Sequence, residues 1–284
     1  MELIADSGGT KTNWAAIDEN NDIQFFESPG LHPGVQLPGE LKNTLLKDLP
    51  QPLSELSPKK VFFYGAACSG KENVQLMETL LKETWPASDI FVDHDLNGAA
   101  RAGLGEMEGI AAVIGTGSSS GYYNGKNVHQ IKPSLGFILG DEGSGAWLGK
   151  NLIRDFCYGE LPEYAEKEVR SILTNSSLEE ILHNVYKEKN PNTYLASLTP
   201  ALANIKHQAY ASKLIKRGFG QFIDRHISSY SESSYKTIAF SGSIAFHFKN
   251  FLEEVCFEKG YRNFLIIKDP LQGIINYHLK KKKA

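Results

Sequence analysis

The chain opens on an apolar run, Leu3-Ile4-Ala5, that ends in Asp6 and turns through Gly8-Gly9. This reads as a buried strand followed by the tight reversal of a hairpin. Asn13 to Asp18 and Ile23 to Ser28 read as two further strands around the polar turn Glu19-Asn20-Asn21-Asp22, so three antiparallel strands precede any helix. A loop of prolines and glycines, Ser28 to Gly34, leads to a helix around Glu40 to Leu49. Lys59 to Tyr64 is the next strand, with a helical pattern after it through Glu83. Asp89 to Asp93 follows as a strand, and Asp95 to Ala102 opens a short helix of small residues, which let a neighbouring backbone approach closely.

From Ile110 the pattern starts again. A fully apolar strand, Ile110 to Ile114, flows into the glycine-hydroxyl turn Gly115 to Gly121 and the strand-like Tyr122-Tyr123. The loop Leu135 to Gly145 runs into a helix through Phe156, and helical periodicity dominates from Pro162 to Tyr230. Lys236 to Phe240 is a strand, Ser241-Gly242-Ser243 caps a helix to Glu258, Asn263 to Ile267 is the last strand, and Pro270 starts a terminal helix through Leu279. Two halves with similar openings imply duplicated α/β domains, with helical insertions in the second.

Composition narrows the class. A length of 284 residues suits two domains of ordinary size, and 41% hydrophobic with 22% charged residues is the balance of a globular protein. A net charge of −3 and a pI near 6.3 argue against nucleic acid as a partner, which would require a basic face. No apolar run approaches the ~20 residues of a membrane span, and Met1-Glu2 leads straight into a strand without a signal-peptide pattern. No membrane partner and a cytoplasmic location are therefore expected. Cys68, Cys157 and Cys256 lie far apart, so reduced thiols are expected in place of a disulfide framework or zinc site. The run Lys280 to Lys283 reads as a solvated terminus.

Candidate chemistry sits in the turns. Around Gly8 and Gly9 the backbone N–H groups, the hydroxyls of Ser7, Thr10 and Thr12 and the Lys11 ammonium form the donor set that polyphosphate oxygens need. Asp6, at the strand end, is placed to hold Mg²⁺ through water; an ordinary Gly-Gly hairpin is the plain alternative. Gly65 to Glu72 approximates a P-loop, yet Glu72 stands where a hydroxyl would ligand Mg²⁺, so a strand-to-helix turn is the better reading. Gly115 to Gly121 has the spacing GxGxxxG before a β-like segment, not the GxGxxG that opens a helix in a dinucleotide site. Two glycine-hydroxyl turns facing one another across a cleft would grip a polyphosphate, and an acid between them, at Asp95, could deprotonate an acceptor.

That layout resembles the actin, sugar-kinase and heat-shock ATPase superfamily. Within it the chain resembles the N-acetylglucosamine kinase family and its relatives, the BadF/BadG/BcrA/BcrD-type ATPases. The motifs occur in order along nearly the whole chain: DSGGTKT from Asp6, V-x-x-D at Val92 to Asp95, GTGSS from Gly115, GDEGSG from Gly140, SGS at Ser241 to Ser243, and P-x-x-G at Pro270 to Gly273. The resemblance implies two ribonuclease-H-like domains with an interdomain ATP cleft: a small one over 1–108 plus the C-terminal helix 270–284, and a large one over 109–269. It implies ATP and Mg²⁺, with Gly8, Gly9, Thr10 and Lys11 on the β- and γ-phosphates and Asp6 organising Mg²⁺. Thr116, Gly117 and Ser118 would form the second phosphate loop, and Gly242 and Ser243 would flank the adenosine. Asp95 would be the general base, with Asp93 its rival, and Asp141 would bind sugar hydroxyls beside Gly117.

Two positions depart from the family pattern. Leu135 stands where amino-sugar kinases carry a Trp six residues before the GDEGS aspartate, and His32 stands where a sugar-binding Asn is usual. Both fall on the acceptor pocket. The implied activity is ATP-dependent phosphorylation of an amino-sugar hydroxyl, N-acetylglucosamine or a related hexosamine, with ATP and sugar as small-molecule partners and a homodimer admitted but not specified. Two other classes stay open: an ATPase activator of radical dehydratases carrying an iron-sulfur cluster, for which the cysteine spacing gives little support, and a non-catalytic ATP- or sugar-binding regulator, which would be expected to add a DNA-binding module for which there is no room before Glu2.

Overall fold

The computed structural model describes residues 1–234 and 236–283. Ala284, with which the expected small domain ends, lies outside the described residues. The chain divides into two units, residues 1–107 with 125–128 and 269 to the C-terminus, and residues 108–124 with 129–268.

The first unit is built on β1 (Glu2–Ser7), β2 (Lys11–Ile17), β3 (Ile23–Pro29), β4 (Lys60–Gly65) and β5 (Asp89–His94), in the order β3-β2-β1-β4-β5. The β1 strand pairs antiparallel with β2 and parallel with β4. Its apolar run is continuous because the sheet is covered on both faces. Leu3, Ala5, Trp14 and Ala16 pack on one side against Leu41, Leu45, Leu53, Met77 and Leu81, from α1 (Pro38–Asn43), a π-helical turn (Thr44–Asp48), α2 (Gln51–Ser54) and α3 (Lys71–Thr84). Ile4, Ala15 and Ile17 pack on the other against Leu271, Ile274 and Ile275 of the C-terminal helix, Pro270–Lys283. That helix lies against α4 (Asp95–Leu104), and a Cβ added to Gly273 would sit 2.6 Å from the Ala102 carbonyl oxygen. The small residues of the Asp95 helix and the glycine of P-x-x-G thus serve one close crossing.

The second sheet holds β6 (Gly109–Ile114), β7 (Ser118–Tyr123), β8 (Val128–His129), β9 (Thr237–Ser241) and β10 (Phe264–Ile266), in the order β10-β9-β6-β7-β8. Counted from its own first strand this is the same order as in the first sheet, with the same antiparallel and parallel neighbours. Between β8 and β9 run α5 (Gly136–Leu139), α6 (Gly145–Cys157), α7 (Glu163–Ile172), α8 (Leu178–Tyr186), α9 (Pro191–Ala196), α10 (Thr199–Asn204) and α11 (Ala209–Arg225). These are the helical insertions, and their apolar faces share one core with Ile110, Ala112 and Ile114. After β9 come α12 (Ser243–His247) and α13 (Lys249–Glu258).

Three expectations are corrected here. Ser118 to Gly121 belongs to β7, not to a loop: Ser118 pairs with Ile114 and Ser120 with Ala112, and a strand of small hydroxylated residues has the composition of a turn. The helix expected over Glu40 to Leu49 is an α-helical segment followed by the π-helical turn. The helix expected from Ser243 to Glu258 breaks at Phe248. No helix among the described residues is long and apolar enough to cross a membrane.

Candidate active site

In the first unit the turn between β1 and β2 leaves Gly8, Gly9, Thr10 and Lys11 exposed. Two of the hydroxyls counted as phosphate donors are spent. Ser7 and Thr12 are buried, their oxygens 2.7 Å apart; Ser7 Oγ also donates to the Leu31 carbonyl at 3.1 Å and accepts from the Leu31 N–H at 3.2 Å. They fasten the loop after β3 to the turn. Gly30 in that loop donates its N–H to the Thr10 carbonyl at 3.0 Å, and a Cβ there would lie 2.7 Å from backbone atoms of Gly8 and Gly9. Nothing in a Pro-Gly pair signals that contact, so sequence reasoning passed over Gly30. Lys11 pairs with Glu27 at 2.9 Å on the surface, where an ion pair contributes less than about 1 kcal/mol and yields easily to a phosphate.

Carboxylates gather beside this turn. Burial, reinforced by the charges of Asp95 and Asp269, pushes Asp6 up to about 7 against a smaller opposing pull from Lys11. Asp269, just ahead of the P-x-x-G segment, was not singled out from the sequence. Among the described residues no three His, Cys, Asp or Glu side chains are arranged to hold a metal ion directly. The excess negative charge at Asp6 nonetheless fits a hydrated divalent cation, the mode expected of it. His32 sits at the same place: a Cβ on Gly9 would meet its ring at 3.6 Å, its Nδ1 is buried and has no hydrogen-bond partner among the described residues, and burial lowers its pKa against the opposing charge of Asp95.

The rival aspartates differ sharply in their commitments. Asp93 accepts from the His94 N–H at 2.8 Å, Asn97 Nδ2 at 2.6 Å and Arg101 Nη1 at 2.7 Å. Asp95, at the first residue of α4, accepts the Leu96 N–H at 2.8 Å through Oδ1 and has His94 Nε2 at 3.2 Å from that same oxygen. Among the described residues none bonds its Oδ2 in this way.

In the second unit the turn is confined to Gly115, Thr116 and Gly117. Its carbonyls are held from the start of α6, where Gly145 N–H donates to Gly115 at 2.8 Å and Ala146 N–H to Thr116 at 3.0 Å. Gly242 has φ +102°, and a Cβ on it would come within 2.5 Å of the Ile114 carbonyl oxygen and 3.0 Å of the Gly115 nitrogen. The structure thus brings the SGS and GTG segments together, with Ser243 exposed beside them. Ser118 is no longer available as a loop donor: it is buried, its N–H donates to Asp141 Oδ1 at 3.3 Å, and its hydroxyl donates to the Glu142 carbonyl at 2.9 Å.

Asp141 adopts φ +56°, a left-handed conformation that aspartate tolerates better than most residues, and burial raises its carboxyl pKa. A Cβ on Gly117 would lie 3.0 Å from Asp141 Oδ2, so that glycine leaves room for the carboxylate. Asp141 and Leu135 line one cleft of about 300 Å³, with Lys132, Leu139 and His226. Leu135, expected within a loop, immediately precedes the short helix α5. Glu142, which follows Asp141, is buried and ion-paired with Arg225.

Two α/β units with the same strand order and a glycine turn after the first strand of each define an actin-like ATPase fold, and comparison with known proteins agrees. No protein-family model matches the chain. The crystal structure of a Porphyromonas gingivalis protein provisionally named N-acetylglucosamine kinase superimposes with a TM-score of 0.92 at 32% identity, covering 99% of this chain and 100% of that one. The N-acetylmuramic acid/N-acetylglucosamine kinase of Clostridium acetobutylicum is 24% identical over 225 residues, 74% of this chain and 73% of its own length. A ROK family glucokinase from Streptomyces griseus, solved with glucose and AMPPNP, shares the fold with a TM-score of 0.60 at 12% identity, covering 100% of this chain and 99% of that one. The chain belongs to the N-acetylglucosamine kinase family, sugar kinases of the actin-like ATPase superfamily.

Proposed function

We propose that this protein transfers the terminal phosphoryl group of ATP to a hydroxyl of an amino sugar, N-acetylglucosamine or a related hexosamine. The observation that carries the reading is the convergence, within the first unit, of the exposed glycine turn, Asp6, His32 and an Asp95 with one carboxylate oxygen uncommitted. Phosphoryl transfer depends mainly on positioning and charge neutralisation. Gly8, Gly9, Thr10 and Lys11 are the donors proposed for the β- and γ-phosphates, with Thr116 and Gly117 as a second loop and Gly242 and Ser243 beside the adenosine. Asp6 would hold Mg²⁺ through water, and the ion would offset phosphate charge there. Asp95 takes the proton of the attacking hydroxyl; the sugar-binding residues we propose are His32 in the first unit and, in the second, Asp141 and Leu135 beside Gly117. The name of the Clostridium relative adds N-acetylmuramic acid to the acceptors worth offering.

The test is direct. Purified protein with Mg-ATP and a panel of hexoses and N-acetylated hexosamines should yield a sugar phosphate, and Asp95→Asn should lower kcat by ~10²–10⁴. Absence of product from every sugar, or an Asp95→Asn variant as active as the parent, would overturn the assignment.

A further inference from the structure

Asp95 sits on a junction that a chain of polar contacts holds from inside the first unit. Asp93, at the end of β5, grips α4 twice, through Asn97 Nδ2 at 2.6 Å and Arg101 Nη1 at 2.7 Å, one helical turn apart. Arg101 Nη1 also donates to Tyr64 Oη at 2.9 Å, and its guanidinium lies 5.3 Å from the Tyr64 ring centre and 5.6 Å from that of Tyr277. Arginine has only donors, so Tyr64 Oη accepts from it and keeps its own proton for His278 Nε2, 2.8 Å away. His278 must then be neutral there, as its burial and the nearby Arg101 charge require. The contacts tie β4, α4 and the C-terminal helix to Asp93, at the end of β5 and two residues before Asp95.

Resting on the kinase reading above, we propose that Arg101 and Asp93 are positioning residues for Asp95. Two carboxylates two residues apart at the start of one helix compete for the same end-of-helix amides. With Arg101 in place, Asp93 is neutralised and anchored to the side of the helix, and Asp95 alone faces the turn with Asp6 and His32. Without Arg101, or without the Asp93 charge that it grips, the start of α4 loses this anchor and Asp95 is no longer held in one place. Misplacement of a reacting group by about 1 Å can cost ~10²-fold in rate.

The test compares the parent, Asp95→Asn, Arg101→Ala and Asp93→Asn. Arg101→Ala should lower kcat ~10- to 100-fold with the KM for ATP within about twofold. A groove of about 600 Å³ opens onto Tyr64, Asp93, Arg101 and His278, so guanidinium ion, far below unfolding concentrations, should restore part of the lost kcat in Arg101→Ala but none in Asp95→Asn. Should Arg101→Ala fail to fold, Asp93→Asn keeps the side-chain shape, loses the charge that Arg101 grips, and should show the same selective fall in kcat. A folded Arg101→Ala or Asp93→Asn with parental kcat, or a loss shared equally by kcat and the KM for ATP that guanidinium does not relieve, overturns the inference while the kinase reading stands. A parent that makes no sugar phosphate, or an Asp95→Asn as active as the parent, overturns both.

Discussion

Gly30 shows how little room the turn between β1 and β2 has. Its missing side chain is what lets the loop after β3 lie against Gly8 and Gly9, with backbone atoms 2.7 Å from where a Cβ would be, and backbone cannot swing aside as a side chain can. Gly30→Ala should therefore lower stability by ~1–3 kcal/mol and raise the KM for ATP more than that for the sugar, as thermal melts and steady-state kinetics would show. His278 makes a second residue-level prediction. Its pKa falls to about 4, first through burial and then through Arg101, with Lys281 and Lys282 adding and Glu2 opposing. Because the folded state binds that proton more weakly than the unfolded chain, His278 supports stability above about pH 6.5 and loses that support as the pH falls toward 4. The loss is on the order of 3 kcal/mol at most. His278→Gln should be less stable at neutral pH yet lose less between pH 7 and 5, measured by denaturant titration at each pH.

At the scale of elements, the informative pieces are helix starts that hold loops. Ser144 caps α6 by accepting from the Trp147 N–H at 3.1 Å, and the next two amides carry the carbonyls of Gly115 and Thr116. Ser144→Ala should cost ~1 kcal/mol of stability and, because the loop hangs from that same helix end, accelerate amide exchange at Thr116 and Gly117 more than in β6. Most strands and helices were legible from periodicity, since apolar alternation and glycine punctuation are local signals; the two-residue β8 was too short to leave one. Ser118 to Gly121 was not, because whether three serines and a glycine form turn or strand depends on pairing with Ile114 to Ala111, and a partner strand leaves no trace in the segment itself.

Across the whole chain, the first unit is closed by residues from its two ends. Ile274 and Ile275 of the C-terminal helix complete the core around Ile4, Ala15 and Ile17. Ile274→Ala should cost ~2–5 kcal/mol and lower the chain's melting temperature although it touches neither glycine turn. What the sequence determined by itself was the repeated opening, the order of the motifs and hence the family, because each is written in contiguous residues. Tertiary structure decided which of the named groups remain available for chemistry. Ser7 and Thr12 are consumed by Leu31 and one another, Ser118 by Asp141 and Glu142, Asp93 by Arg101 and Asn97, and Asp269 arrives beside Asp6 from the far end of the chain. A donor or acceptor is available only if no nearer partner takes it, and those partners lie where folding brings them, not where the sequence shows them.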